Sequence, residues 1–113
     1  MVKQIDNEAG KKVMQFFSSL ADETRLRILL SMAEKPKNVN GIYECVGKDK
    51  MTLSAISHQL RQLKDLGIVD VEKRGRERVF QLSKNFCWCI LRDAFKQFNS
   101  NIKIKCRKCE ERD

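Results

Sequence analysis

The spacing of apolar residues changes near Ile68, and this change restricts the possible folds more than any other feature of the sequence. Before it, apolar residues recur at intervals of three and four, as in amphipathic helices. After it, residues 68–72 and 79–82 are typical of two strands, joined by the basic, glycine-containing segment 73–78 in a hairpin. Residues 84 to about 99 return to helical spacing. The sequence therefore predicts a mainly α fold with a small β-hairpin, in the order α-α-α-α-β-β-α.

Local signals mark the ends of these helices. Asp22 is a good N-cap for the second helix, and Pro36 ends that helix because it disfavours the α conformation at the residue before it. Gly47 is typical of the position just beyond a helix and closes a short third helix. Thr52 can cap a fourth helix, which Gly67 closes.

Length and composition limit the function. A chain of 113 residues suits one domain, which we expect at residues 1–99, followed by a mobile, basic, cysteine-containing tail at 100–113. The formal net charge of +8 favours a polyanionic partner. The chain shows neither a signal peptide nor a membrane-spanning stretch, so we expect a cytoplasmic protein. With a single histidine it offers little for acid–base catalysis, and an enzyme is disfavoured.

The predicted order of elements is that of a winged helix–turn–helix. The third and fourth helices form the helix pair and the hairpin is the wing. Polar groups on the fourth helix can contact base edges or phosphates, and the basic wing suits phosphates or the minor groove. The predicted DNA-binding residues are Thr52, Ser54, Ser57, His58, Gln59, Arg61, Gln62, Lys64, Lys73, Arg74, Arg76 and Arg78. A winged helix that contacts another protein instead of DNA is the alternative function.

Two separated motifs resemble the ArsR/SmtB family of bacterial and archaeal repressors. They are residues 20–29, LADETRLRIL, and residues 54–64, SAISHQLRQLK, and the wing residues 74–76 and 79–82 also match. The resemblance covers about residues 13–98. It implies a homodimer, formed by the first and last helices, that binds a palindromic operator and is released by an inducer, often a metal or an arsenical. The apolar residues predicted for that interface are Val13, Phe16, Phe17, Leu91, Ala94, Phe95 and Phe98.

Two metal sites known in that family are missing from the sequence. The family's Cys-Val-Cys arrangement corresponds here to Asn38-Val39-Asn40, which has no thiolate. The carboxylate and histidine ligands that another branch carries on its last helix correspond to Lys84, Phe86, Gln97 and Ser100. These four residues do not form a zinc ligand set. The resemblance therefore implies that any signal enters elsewhere.

The cysteines are the remaining candidates for a signal. Cys106 and Cys109 form a Cys-x-x-Cys pair, which is a good half of a soft-metal site. Cys87 and Cys89 differ by about 200° around a straight helix, so they bind one ion only where the helix is frayed. Cys45 is expected to pack in the third helix.

Three hypotheses follow for these thiols. The first is a site for zinc, cadmium or arsenic(III) that uses Cys106 and Cys109, with Cys87 or Cys89 of either subunit. The second is a redox switch in which the same pairs form disulfides, and the third is that the thiols only pack or are incidental. A thiol oxidoreductase is a weaker alternative, because the Cys-x-x-Cys pair does not begin a helix that follows a strand.

Overall fold

The computed structural model describes residues 7–110 and confirms the predicted order of elements, with one further short helix at the end. The first six residues of the predicted first helix and residues 111–113 of the predicted tail lie outside the described part. Within 7–110, no helix is long and apolar enough to cross a membrane. The elements are α1 (Glu8–Leu20), α2 (Glu23–Ser31), α3 (Val39–Val46), α4 (Leu53–Asp65), β1 (Val69–Arg74), β2 (Glu77–Leu82), α5 (Cys89–Gln97) and α6 (Arg107–Glu110).

Side-chain caps start the first four helices. Asn7, Asp22, Asn38 and Thr52 each accept a hydrogen bond from the backbone N–H three residues further on. Each cap satisfies an N–H that has no partner inside the helix, a contribution of about 1 kcal/mol. Gly47 follows α3 with a φ of +104°, a conformation that a residue with a Cβ rarely adopts. The predicted caps at Asp22 and Thr52 are thus confirmed.

The core lies where α2, α3 and α4 pack together beneath the hairpin. Leu29, Ile42 and Leu60 are fully buried there. Beside them, Trp88 is buried and its indole N–H donates to the backbone oxygen of Ser83 over 3.1 Å. Phe16 of α1 packs against Trp88 with ring centroids 6.2 Å apart. This contact holds α1 next to the start of α5.

The hairpin is longer and tighter than predicted. Lys73 pairs with Arg78 and Arg74 with Glu77, so most of the segment expected to be a loop belongs to the strands. Two residues form the turn, and the first of them, Gly75, has a φ of +64°. Cross-strand pairing in a two-residue hairpin extends close to its tip.

The hairpin is attached to the helices through a single-residue bridge. The backbone of Lys37, between α2 and α3, exchanges hydrogen bonds of 2.9 and 2.8 Å with the backbone of Phe80 in β2. These bonds fix the base of the wing relative to the helix pair.

The C-terminal part differs from the prediction in two ways. Helix α5 begins at Cys89 instead of residue 84, because the preceding segment turns sharply to bury Trp88. The segment after α5 is packed up to residue 106, whereas the sequence predicted a mobile tail. Ile104 and Cys106 are buried, and the N–H of Lys105 donates to the backbone oxygen of Ala33 over 3.1 Å. We refer to residues 100–106 as the strap.

A left-handed residue directs the chain from α5 into the strap. Asn99 has a φ of +61°, and the N–H of Ser100 bonds to the backbone oxygen of Phe95 over 3.0 Å. This is the usual way in which a helix ends with a residue in the left-handed conformation. The strap then runs back past the C-terminal end of α2.

Candidate nucleic-acid interface and thiol cluster

Helix α4 exposes a polar face. Ile56, Leu60 and Leu63 are fully buried on its opposite side, whereas Leu53, in the first turn, is 41% exposed. The hydroxyl of Thr52 is engaged in the helix cap. The predicted contact residues that are exposed on or next to α4 are Thr52, Ser54, Ser57, His58, Arg61, Gln62 and Lys64, and Gln59 is half-buried.

Arg25 of α2 organises two of these side chains. Its Nε donates to the Oε1 of Gln59 over 2.7 Å, and one of its terminal nitrogens donates to the Oε1 of Gln62 over 3.2 Å. Sequence reasoning missed this role of Arg25, since residues 34 and 37 positions apart are brought together only by the packing of α2 on α4. The contact holds two carboxamides in fixed orientations.

The orientation determines what α4 presents to a ligand. A guanidinium has donors and no acceptor, so both carboxamide oxygens face Arg25 and both amide NH₂ groups are directed away from it. The Nε2 of Gln62 lies 3.3 Å from the Nε2 of His58 and can only donate. This part of α4 therefore offers donors, which suit phosphate oxygens and the acceptor atoms of purines.

The wing carries a concentration of positive charge that its own acids only partly neutralise. Lys73, Arg74, Arg76 and Arg78 are all exposed. Lys73 and Arg78 are direct cross-strand partners, and like charges in that position repel each other. A terminal nitrogen of Arg74 lies 3.3 Å from the Oε2 of Glu72. This ion pair is exposed and contributes little to stability. This concentration of positive charge is favourable when an anion lies against the wing.

Four of the five cysteines meet at the start of α5. The Sγ atoms of Cys87, Cys89, Cys106 and Cys109 all lie within 4.8 Å of one another. The Sγ of Cys109 is 3.1 Å from that of Cys89 and 3.4 Å from that of Cys87, and the sulfurs of Cys106 and Cys87 are 4.0 Å apart. We call these four residues the thiol cluster. Cys45, which was expected to pack, is exposed and lies outside it.

The late start of α5 explains why Cys87 and Cys89 face the same point. Cys87 precedes the helix, so the 200° separation of a straight helix does not apply. Cys106 ends the strap and Cys109 lies in α6, where its N–H donates to the backbone oxygen of Cys106 over 3.2 Å. This turn directs both sulfurs of the Cys-x-x-Cys pair toward the other two.

Hydrogen bonds among the thiols give Cys106 and Cys109 very different pKa values. Burial opposes ionisation of Cys106 most strongly, but hydrogen bonds from the backbone and thiol of Cys109 and from Cys89 outweigh it and lower its pKa to about 6. The pKa of Cys109 is raised to about 12 because its hydrogen bonds with Cys89, Cys87 and Cys106 favour the protonated form. Cys106 therefore ionises more readily than Cys109.

Arg92 of α5 lies against the cluster. One of its terminal nitrogens donates to the Sγ of Cys89 over 3.0 Å. Its Nε is buried and has no hydrogen-bond partner in the described part of the chain. A nearby guanidinium favours thiolate over thiol. Arg92 therefore places a positive charge where a set of ionised sulfurs needs one.

The residues predicted for a dimer interface divide into two groups. Phe16 and Leu91 belong to the chain's own core and are 7% and 4% exposed. Phe17 is 49% and Phe98 85% exposed. Of the others, Val13 and Ala94 are exposed and Phe95 is half-buried. Met14 and Ile90 are further exposed apolar side chains on α1 and α5 that were not among the predicted interface residues.

Comparison with known proteins places this architecture in a family. A model described as "Bacterial regulatory protein, arsR family" matches residues 22–71. The transcriptional repressor SmtB homolog of Synechocystis is 30% identical over 98 residues, which cover 82% of this chain and 72% of that protein. The chain belongs to the ArsR/SmtB family. Its members named here are regulators of transcription, which agrees with the expectation that the chain is not an enzyme.

One further relative and one solved structure extend the comparison. The transcriptional regulator NmtR of Mycobacterium tuberculosis is 36% identical over 78 residues, which cover 69% of this chain and 62% of NmtR. The homodimeric winged helix–turn–helix domain of Mb0332 from Mycobacterium bovis has a TM-score of 0.60, with 28% identity and coverage of 74% of this chain and 76% of that one. The match to the winged helix–turn–helix fold confirms the predicted fold class.

The family match and the thiol cluster occupy different parts of the chain. Residues 22–71 include α2, α3, α4 and the beginning of the wing, whereas the four clustered cysteines all follow residue 86. Asn38, at the position of the family's third-helix thiolates, caps α3 and donates to Glu77 over 2.9 Å. The thiol cluster is therefore a feature of this chain beyond the part that the family model matches.

Proposed function

We propose that the protein is a sequence-specific DNA-binding repressor of transcription, and not an enzyme. The observation that carries this proposal is the pairing of α4, whose exposed face offers fixed hydrogen-bond donors, with an adjacent basic wing. The N–H donors of Gln59 and Gln62 suit base edges in the major groove. The wing residues Arg74, Arg76 and Arg78 suit phosphates or the minor groove. The net charge of +8 favours the same partner.

The repressor acts as a homodimer on a palindromic operator. Phe17 of α1 and Phe98, which directly follows α5, are large, exposed apolar side chains. A twofold dimer that covers them removes this apolar surface from water and presents two copies of α4 to two half-sites. The homodimeric state of the Mb0332 domain supports this assembly.

The thiol cluster is the site at which the repressor detects its inducer. Four sulfurs within 4.8 Å form a donor set that binds thiophilic metal ions, and the family resemblance implies release of the repressor by an inducer. Free thiols persist in the cytoplasm, where such a regulator meets its DNA. The signal is then a metal ion, and a disulfide switch at the same residues is the competing possibility.

Fluorescence anisotropy with the DNA fragment upstream of the protein's own coding region tests the proposal. We expect the metal-free dimer to bind this fragment about 10³-fold more tightly than a duplex of equal length and scrambled sequence at the same salt concentration. Equal affinity for both duplexes would contradict sequence-specific binding and favour a winged helix that contacts another protein.

A further inference from the structure

We propose that the thiol cluster is a closed tetrathiolate site that binds one divalent d¹⁰ ion, Zn²⁺ or Cd²⁺, entirely within a single chain. The proposal deepens the proposed function, since it rests on the cluster being the entry point of the signal. The four thiolates coordinate the ion at the end of the strap.

The sulfur–sulfur distances are close to the edge length of a tetrahedral metal site. With zinc–sulfur bonds of about 2.3 Å, the six edges of a tetrahedral ZnS₄ unit are each about 3.8 Å long. The sulfurs of Cys89 and Cys109 are 3.1 Å apart, those of Cys87 and Cys109 3.4 Å, and those of Cys106 and Cys87 4.0 Å. All pairs lie within 4.8 Å. Shifts of less than about 1 Å therefore convert the cluster into a metal site.

The donor set selects the class of ion. Thiolates favour soft or borderline ions over Mg²⁺, Ca²⁺ and Mn²⁺, and four of them fill every position of a tetrahedral ion. Trivalent arsenic forms three bonds to sulfur and would leave one of these four thiols free. The site is complete without a second subunit, because Cys87, Cys89, Cys106 and Cys109 come from one chain.

A neighbouring cationic side chain partly balances the negative charge of such a site. When all four sulfurs are thiolates and one divalent cation is bound, the unit carries a formal charge of −2. Arg92 already donates to Cys89 over 3.0 Å, and its Nε is buried and has no partner among the described residues. Donors to ligating sulfurs are a normal part of the shell around a metal site. Arg92 is therefore a positioning residue that partly neutralises the site.

Binding of a metal ion at the thiol cluster holds the strap in place. Cys106 ends the strap, and the N–H of Lys105 bonds to Ala33 just beyond α2. Helix α2 also carries Arg25, which holds Gln59 and Gln62 of α4. An ion that joins the strap to the start of α5 thus restrains residues that contact α2. A continuous series of contacts leads from the thiol cluster to the DNA-binding face.

Anaerobic titration of the reduced, metal-free full-length chain with Co²⁺ tests the coordination. We expect intense visible absorption and near-ultraviolet charge transfer typical of four thiolates, saturating at one Co²⁺ per chain and abolished by Zn²⁺. Cys45→Ser is the matched control and keeps the signal, whereas Cys89→Ser and Cys106→Ser lose the four-thiolate signature. Circular dichroism confirms folding, and Cys89→Ser is decisive if the buried Cys106 variant fails to fold.

Several outcomes would overturn the proposal. They are saturation at one ion per two chains, an unchanged spectrum in Cys89→Ser, displacement of Co²⁺ by equimolar arsenite, or a disulfide within the cluster that excludes Co²⁺. Counting of reactive thiols gives an independent check: of the five cysteines, one should react in the Zn²⁺ form and two in an arsenite form.

Proteolysis tests the effect on the strap. We expect Zn²⁺ to slow tryptic cleavage at Lys103 and Lys105 about tenfold in the wild type and in Cys45→Ser, because local opening becomes less frequent. Equal cleavage rates with and without Zn²⁺ would contradict the proposal that the bound ion holds the strap in place. Since both experiments omit DNA, their failure leaves the DNA-binding proposal standing, and a failure to bind DNA leaves the metal site standing.

Discussion

Removal of two arginines from the wing should weaken the dependence of DNA binding on salt. The double variant Arg74→Ala, Arg76→Ala removes two exposed positive charges per chain and four per dimer. If each of them neutralises one phosphate, the slope of log K against log salt becomes less steep by about 3 to 4 units, since each contact contributes about 0.9. Between 50 and 200 mM salt, the wild type then loses about 150-fold more affinity than the variant.

The strap supplies the matched control for this prediction. Lys103→Ala, Lys105→Ala removes the same charge per dimer from exposed positions next to the end of α2. We expect its slope to differ from that of the wild type by less than about one unit. Anisotropy titrations at four or more salt concentrations measure all three slopes. Equal changes in both double variants, or no change in the wing variant, would refute the assignment of phosphate contacts to the wing.

Three further predictions concern the positioning of α4, the packing of the strap and the dimer. Arg25→Ala should lower operator affinity about tenfold with an unchanged salt slope, and Arg25→Lys should not restore it, whereas Arg27→Ala should have little effect. Ile104→Ala should lower the free energy of unfolding by about 2 to 4 kcal/mol in urea, well above Ile102→Ala, because only Ile104 is fully packed. Phe17→Asp should shift the dimer to monomer in analytical ultracentrifugation, and a dimer of unchanged stability would place the interface elsewhere.

The helical and hairpin elements could be predicted because their signals are local. Asp22 and Thr52 cap helices through neighbours three residues away, and Gly47 ends α3 through its own backbone conformation. The strap has an equally local signal that was missed. Ile102, Ile104 and Cys106 alternate with polar residues, which is the period of an extended chain with one buried side.

The site was predictable only in part. The exposed residues of α4 follow from helical geometry, but the contact of Arg25 with Gln59 depends on how α2 packs against α4. The meeting of the two cysteine pairs also required tertiary structure. The burial of Trp88 delays the start of α5, and Asn99 reverses the chain so that Cys106 returns to Cys87.

Operator affinity measured with and without bound metal tests most directly whether this repressor senses an ion through its thiol cluster. We expect one equivalent of Zn²⁺ or Cd²⁺ per chain to weaken operator binding by about 5- to 150-fold in the wild type and in Cys45→Ser, the usual range for coupling between two sites. Cys89→Ser, at the same metal concentration, should bind as tightly as the metal-free wild type. An affinity that is the same for the loaded and metal-free wild type, with loading verified by the Co²⁺ spectrum, would contradict the account.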